Sequence, residues 1–343
     1  MTAARSVLVL THTFDPTADY VVAELNRREV PVFRCDVADF PESLSVGAEL
    51  SGATWSGQLR TAQRVLDLDD IAGIYYRRPT AFDLHPEMSE PERVWAASQA
   101  RLGFGGLLAA VEPWLNHPHQ IGLAEYKPVQ LRAAARCGLR VPRTLVTNDP
   151  KQARRFVEEL GDVVSKPFTS RGVSDAEGYR VPYARKVTAE QCDNENIART
   201  MHMFQQWVPK HYEVRLTVVD DEFFAARIVA ATAEAAEDWR TDYAALSYSV
   251  IETPNFVRSR VRSLLDLLGL RFGALDFVVT PAGDWSFLEC NPNGQWAWIE
   301  DETSMPIAAA LADALEGRGK TLDRQQRTSS ALRGATRRVG RAR

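Results

Sequence analysis

Residues 270–293, LRFGALDFVVTPAGDWSFLECNPN, decide the reading of this chain because they bring three oxygen ligands into one expected hairpin. Residues 274–279 and 285–291 are rich in β-branched and aromatic side chains, and Pro281-Ala282-Gly283-Asp284 between them has turn composition. A symmetric four-residue turn sets Thr280 against Trp285 and Asp276 opposite Glu289, and the two-residue side-chain period keeps Asn291 on the face of Glu289. Two carboxylates a few Å apart raise each other's proton affinity unless a cation lies between them. Oxygen donors of this kind suit Mg²⁺, which keeps several waters and completes its shell with substrate phosphates. Taken alone, the segment also reads as an exposed hairpin with ordinary surface acids.

Working outward, residues 213–219 alternate clearly, with Glu213 and Arg215 on one face; Asp220-Asp221 turns the chain into residues 223–230, which carry Arg227. These two strands form an antiparallel pair whose arginines meet either an anion or the hairpin acids. Residues 203–208, MFQQWV, form a strand end that can offer backbone amide and carbonyl to an adenine edge while Trp207 or Val208 packs on the base. Residues 163–166 are an apolar strand closed by Lys166. Residues 168–174, small and polar, follow as an expected mobile loop, and a lysine with hydroxyls suits phosphate oxygens. Glu125-Tyr126-Lys127-Pro128 opens the helix 129–137, and another helix spans 254–268.

The N-terminal third begins strand, helix, strand at 7–10, 19–28 and 30–35, the opening of a doubly wound sheet, but no G-x-G-x-x-G follows and a dinucleotide site is unsupported. A hairpin at 44–50 and 54–61 precedes the strand 71–76, which runs into Arg77-Arg78-Pro79; both arginines cannot point into the core. Residues 91–111 read as one long helix whose Gly103-Phe104-Gly105-Gly106 allows close packing, and Trp114 to Pro118 reads as a linker. His117 and His119 in that region lack further metal ligands nearby.

A chain of 343 residues with 45% hydrophobic content can bury a core over two or three domains. The first apolar run, residues 7–10, is too short for a signal peptide or membrane span, so the expected location is the cytoplasm. Cys35, Cys137, Cys192 and Cys290 have no C-x-x-C spacing and read as reduced core thiols. The net charge of −4 hides a tail, residues 317–343, with nine Lys or Arg against Asp323; that tail is +8, the remainder about −12, and its composition predicts disorder.

Taken in order, Lys127, Lys166, Gln205-Gln206-Trp207-Val208, Glu213-Val214-Arg215, Arg227, Asp276 and Glu289-Cys290-Asn291 resemble the ATP-grasp superfamily over residues 123–315. Within it the chain is most similar to the ribosomal-peptide maturases that make microviridins and other graspetides. The finer match lies in Tyr75-Tyr76-Arg77-Arg78-Pro79, Asp238-Trp239-Arg240 and Glu289-Cys290-Asn291-Pro292-Asn293-Gly294-Gln295-Trp296. A departure is Gln206, where related ligases often carry Glu, which weakens the case for a side-chain contact to the adenine amino group.

The resemblance implies an α/β (α+β) protein with an ATP-grasp fold: a pre-ATP-grasp domain over 1–116, a central subdomain over 117–207, a C-terminal antiparallel-sheet subdomain over 208–316 holding the Mg²⁺ site, and the basic tail 317–343. It implies ATP on Lys127, Lys166, Gln206, Trp207, Val208 and Glu213, and Mg²⁺ on Asp276, Glu289 and Asn291. Arg215, Arg227 and Arg240 would meet the transferring phosphoryl group and the substrate carboxylate, and Arg77, Arg78 and Arg240 would bind substrate. A carboxylate is a poor electrophile until phosphorylated; the implied acyl phosphate is then attacked by a hydroxyl or amine. In the graspetide enzymes both groups belong to one precursor peptide. That peptide, through its leader and acidic core, and a second copy of the chain are the expected partners; nucleic acid and membrane are not. Competing readings are a glutamate-ligase-like enzyme adding an amino acid to a protein or small-molecule carboxylate, and a nucleotide-binding module without turnover, against which the metal triad argues.

Overall fold

The apolar strand Ser6–Leu10 pairs in parallel with Val32–Cys35 on one side and with Ile71–Tyr76 on the other. The crossover between the first two is the helix Pro16–Arg27. Asp15 caps it, Pro16 opens it, and Ala18, Val21 and Leu25 are buried at helical spacing. The computed structural model describes residues 5–169, 172–175, 178–180, 182–232, 235 and 238–318. The expected mobility at Ser170 and Arg171, and the expected disorder from 319 onward, lie outside the described residues.

A separate antiparallel sheet, Ser45–Ser51, Thr54–Arg60 and Val65–Asp67, covers the N-terminal domain. Residues 91–111 do not form one regular helix: Glu90–Gln99 continues through a π-helical segment, Ala100–Phe104, into Gly105–Ala109. The glycines do not serve close packing either, since a Cβ at Gly103, Gly105 or Gly106 would meet nothing within 4 Å. Close approach occurs at Gly73 instead, where a Cβ would lie 2.3 Å from the Leu315 carbonyl oxygen. The final helix, Ile307–Leu315, is apolar nearly all round and is buried against the N-terminal helix in one shared core.

The central sheet has the order Arg185–Val187, Val163–Lys166, His202–Gln206, Thr144–Thr147 and is backed by the helix Pro150–Leu160. The C-terminal sheet has five antiparallel strands in the order Leu246–Ile251, Glu222–Ala230, Tyr212–Val219, Phe272–Val279, Trp285–Asn291. Val214, Leu216, Leu275 and Phe277 on one face of it pack on the helices Lys127–Arg136 and Asn255–Leu268. By packing, the helix Lys127–Arg136 thus goes with the C-terminal sheet, although it precedes the central one in sequence.

The stretch expected to be a linker is a clamp. Leu115 donates to the Ile74 carbonyl at 2.9 Å, which ties the segment to the parallel sheet. Asn116, buried, donates to the carbonyls of Phe272 and Pro292 at 2.8 and 3.0 Å and accepts from the amides of Arg271 and Phe272 at 2.8 and 3.1 Å. One amide side chain therefore closes the open end of the hairpin. Asn116→Ala strands these buried backbone groups, and should cost about 2–4 kcal/mol of stability in denaturant unfolding; a loss below about 1 kcal/mol would show that water replaces the clamp.

Candidate active site

The hairpin forms with Asp276 opposite Glu289, and Asn291 two residues on is opposite Ala274. The path to that register differs from the symmetric turn. Val279, not Thr280, pairs with Trp285, so the turn holds five residues, closed by the Thr280 amide donating to the Asp284 carbonyl at 3.0 Å. The resulting offset is removed by a bulge between Asp276 and Phe277, where Phe277 pairs with Phe287 and Leu288 is the extra residue. The Asn291 amide stands 3.5 Å from Asp276 Oδ2 and 3.3 Å from Glu289 Oε1, so the three expected ligands converge on one point.

They open into a cleft of ≈ 1510 Å³ whose walls come from all three domains. Lys127, the first residue of its helix, reaches across to Glu289. Lys166, at the end of its central strand, lines the opposite wall. Burial pushes the Lys166 ammonium down to about 8, with neighbouring Lys127 adding to the effect and Glu289 opposing it. Burial raises Asp276 well above the usual carboxylate range despite Arg215, whose Nη1 lies 3.0 Å from its carboxylate, and the Glu289 charge adds to the rise. Burial also pushes on Glu289, but Lys127 outweighs it and holds that carboxyl well below the usual range. An all-oxygen donor set with one carboxylate so reluctant to ionise fits a divalent cation, whose charge would stabilise both anions.

Arg215 is held between aromatic faces, 5.5 Å from the Trp239 ring centroid and 5.8 Å from that of Trp298. Arg240 is oriented by a bidentate pair with Asp238 at 2.8 and 2.6 Å, and Asp238 also accepts from the Ala184 amide at 3.0 Å. Trp207, on the same cleft, has the ammonium groups of Lys186 and Lys210 over its ring, 5.0 and 5.1 Å from the centroid. The amides of Gln206 and Trp207 are engaged by the carbonyls of Arg143 and Asp162, which leaves Val208 as the next amide along this edge. Gln205 turns inward to Thr144 at 3.0 Å. Glu213 contacts Lys210, and burial raises its carboxyl against that pull.

Two expected site residues are placed otherwise than expected: Arg227 lies outside the cleft, and Arg77 reaches its wall but is buried. Arg227 pairs in register with Val214, whereas Arg215 pairs with Ala226 and Asp276, so Arg227 projects from the opposite face and its guanidinium lies 4.5 Å over Tyr212. It does not meet the cleft anions. Arg77, expected at substrate, is 1% exposed and is spent on structure: it contacts Asp15, the Asn293 carbonyl and the Gln295 side chain. Arg78 is the exposed member of the pair and lines the cleft. Sequence reasoning missed Asn116 and Gln130, the latter buried against Cys290 between two ligands; neither sits in a motif, and only their polar type at apolar helix or loop positions marks them.

A model of the MvdD pre-ATP grasp domain matches residues 6–122. Among solved structures, a RiPP-associated ATP-grasp ligase of Chryseobacterium gregarium, in complex with ADP and a leader and core peptide, aligns with TM-score 0.83 and 26% identity over 92% of this chain and 97% of its own. Macrocyclase MdnC of Microcystis aeruginosa MRC, bound with precursor peptide MdnA, aligns with TM-score 0.78 and 26% identity over 90% and 99%. MdnB of the same organism gives 0.74 and 28% over 91% and 99%. No curated protein sequence matches. The fold is therefore that of the ATP-grasp ligases with a pre-ATP-grasp domain in front. The resemblance to ribosomal-peptide maturases drawn from the motifs is borne out along nearly the whole chain.

The lowered Lys166 makes a pH prediction. Its ammonium is present below about 8 and is lost above it, so ADP affinity measured in EDTA should fall as pH rises from 7 to 9. Lys166→Met should bind ADP more weakly at pH 7 and show a flatter profile; an unchanged profile in calorimetric titration would make Lys166 structural.

Proposed function

We propose that the protein is a cytoplasmic graspetide synthetase. It phosphorylates Asp or Glu side chains of a ribosomal precursor peptide with ATP and joins them to Thr or Ser hydroxyls, or a Lys amine, as ω-ester or ω-amide macrocycles. The observation that carries this reading is the convergence of Asp276, Glu289 and Asn291 with Lys127, Lys166, Arg215 and Arg240 in one cleft, in a chain that aligns over its length with peptide-bound ligases. Among the described residues no helix is long and apolar enough to cross a membrane.

Each residue then has a task. Lys166 holds phosphate oxygens, and Lys127 exchanges Glu289 for the phosphate when that carboxylate turns to a cation. Asp276, Glu289 and Asn291 would hold Mg²⁺, which when bound offsets negative charge on the phosphate oxygens. The base packs along Trp207 with the Val208 amide at its edge. Arg240, locked by Asp238, keeps its free Nη1 side for the peptide carboxylate, and Arg215, held by two indoles, faces the transferring group. The γ-phosphoryl passes from ATP to the carboxylate oxygen, releasing ADP. The hydroxyl or amine then adds to the acyl carbon, its proton goes to solvent, and inorganic phosphate leaves. Arg78 on the N-terminal rim attracts the acidic core into a body that is otherwise about −12. The leader docks on the central subdomain, away from the hairpin, and the enzyme acts as a homodimer.

Co-expression with a short Thr- and Asp/Glu-rich peptide encoded beside the gene should give products lighter by one water per ring. A peptide that instead gains the mass of an amino-acid residue would favour the intermolecular ligase. Glu289→Gln and Asn291→Ala should each lower turnover by roughly 100-fold or more without unfolding the protein. Arg240→Ala should slow ring formation roughly 10²–10³-fold while leader affinity changes little, because the lost interaction is made in the transition state. If deleting residues 317–343 abolishes peptide binding while Arg240→Ala cyclises normally, the core is captured by the tail and this placement fails.

A further inference from the structure

Trp285–Asn291 is an edge strand: its sheet neighbour is Phe272–Val279, and among the described residues its other side meets no strand, only an isolated bridge near its start, where Ser286 pairs with Arg140 and the Phe287 amide donates to the Arg140 carbonyl at 2.8 Å. Backbone groups there need another partner. Gln130, 3% exposed, supplies it. Its Oε1 accepts from the Cys290 amide at 2.9 Å, and its Nε2 donates to the Cys290 carbonyl at 2.8 Å. A second bond from Nε2 to the Ala124 carbonyl, at 2.5 Å, ties the same amide to the end of the preceding helix. The side chain thus makes the pair of bonds that an adjacent strand residue would make, and it makes them at the residue between Glu289 and Asn291.

That position matters geometrically. Residues 289 and 291 project to the cleft face, while Cys290 is buried on the other. Fixing the amide and carbonyl of Cys290 fixes the two peptide planes that join it to its neighbours, and hence the direction in which both ligands leave the strand. The bulge at Leu288 makes this more necessary, because the ladder to Phe272–Val279 is interrupted one residue before Glu289. Gln130 lies on the helix that begins with Lys127, so one rigid element carries both the clamp on the strand and the cation that meets Glu289.

We infer that Gln130 is a positioning residue for the metal ligands: its paired bonds to Cys290 set the aim of Glu289 and Asn291, and through them the affinity for the divalent cation. The inference rests on the metal site proposed above. It needs no contact between Gln130 and metal, nucleotide or peptide. Outer partners of this kind typically change metal affinity by about 10–100-fold when removed.

The test uses Mn²⁺ as the probe, with the full-length protein and ADP, and reads free Mn²⁺ by electron paramagnetic resonance. Gln130→Met keeps the length and loses both bonds to Cys290 together with the one to Ala124; Gln130→Glu keeps an acceptor for the Cys290 amide but as a carboxylate cannot donate to either carbonyl. The expected result is a Mn²⁺ Kd raised about 10-fold or more in Gln130→Met, a smaller rise in Gln130→Glu, and ADP affinity in EDTA unchanged in both. If Gln130→Met does not fold, as judged by circular dichroism, Gln130→Glu carries the test. A Mn²⁺ Kd within twofold of wild type in a folded variant overturns the inference, even if the melting temperature falls, because the clamp is then structural only. Wild-type protein that fails to bind Mn²⁺ with ADP overturns the metal assignment itself, and the inference with it.

Discussion

Asp276 and Glu289 face each other across one position of an antiparallel ladder, and the cleft is arranged around their repulsion. Opposed side chains in such a ladder lie with Cβ atoms about 5 Å apart, so like charges there destabilise the pair. The chain answers with cations from three directions: Lys127 on Glu289, Arg215 on Asp276, and Arg240 and Lys166 within electrostatic reach of the pair. The answer is unequal. Glu289 is held ionised, whereas Asp276 is raised well above the usual carboxylate range because burial and the neighbouring carboxylate outweigh Arg215. A divalent ion held there would relieve that inequality, and the lysines and arginines would then be available to the oxygens of substrate. The cations that offset the paired acids are thus the ones that the proposed function assigns to phosphate and carboxylate.

Such an arrangement depends on rigid support from beyond the sheet. Arg77, fixed by Asp15 in the N-terminal domain, reaches the Asn293 carbonyl and Gln295 just after the last ligand. Asn116 closes the opposite ends of the two hairpin strands onto the segment that joins the domains. The final helix returns to lie on Gly73, with Arg28 bonded to Asp313 and Glu316. The pre-ATP-grasp domain is therefore a wall of the site as well as a neighbour: it anchors the loop after the hairpin of Asp276 and Glu289 and places Arg78 on the cleft rim.

Much of this was legible in the sequence, for physical reasons that vary by element. The C-terminal strands alternate strongly, and the facing of Asp276 and Glu289 was read correctly, but by two departures that cancel: a five-residue turn shifts the register and the bulge at Leu288 restores it. Turn composition does not distinguish four residues from five, and a bulge leaves no mark where Phe287 and Leu288 are both apolar. The sequence also holds what turns Arg227 away from the cleft. A two-residue turn at Asp220-Asp221 pairs Val219 with Glu222, which sets Arg215 against Ala226 and sends Arg227 to the other face; the positive φ of Asp220, 49°, suits such a turn. Arg77 and Arg78 could be separated only by the partners that Arg77 finds more than 200 residues away. Asn116 and Gln130 were silent because a single amide in a loop or helix carries no periodic signal; its meaning lies in the backbone it meets.

The position of the ligands on an edge strand explains why such amides are needed. A central strand is held by ladders on both sides, and its side-chain directions follow from the sheet. An edge strand has one ladder, and here that ladder is broken next to the first ligand. The edge has an advantage for a site that must accept a nucleotide: it lets the helix Lys127–Arg136 approach the strand from the side and deliver Lys127 to the same carboxylate. A further strand in that place would restore the second ladder but exclude the helix. The buried amide of Gln130 resolves the conflict, since it supplies a strand's two hydrogen bonds from a helix and so fixes Cys290, between Glu289 and Asn291, while Lys127 stays within reach of Glu289.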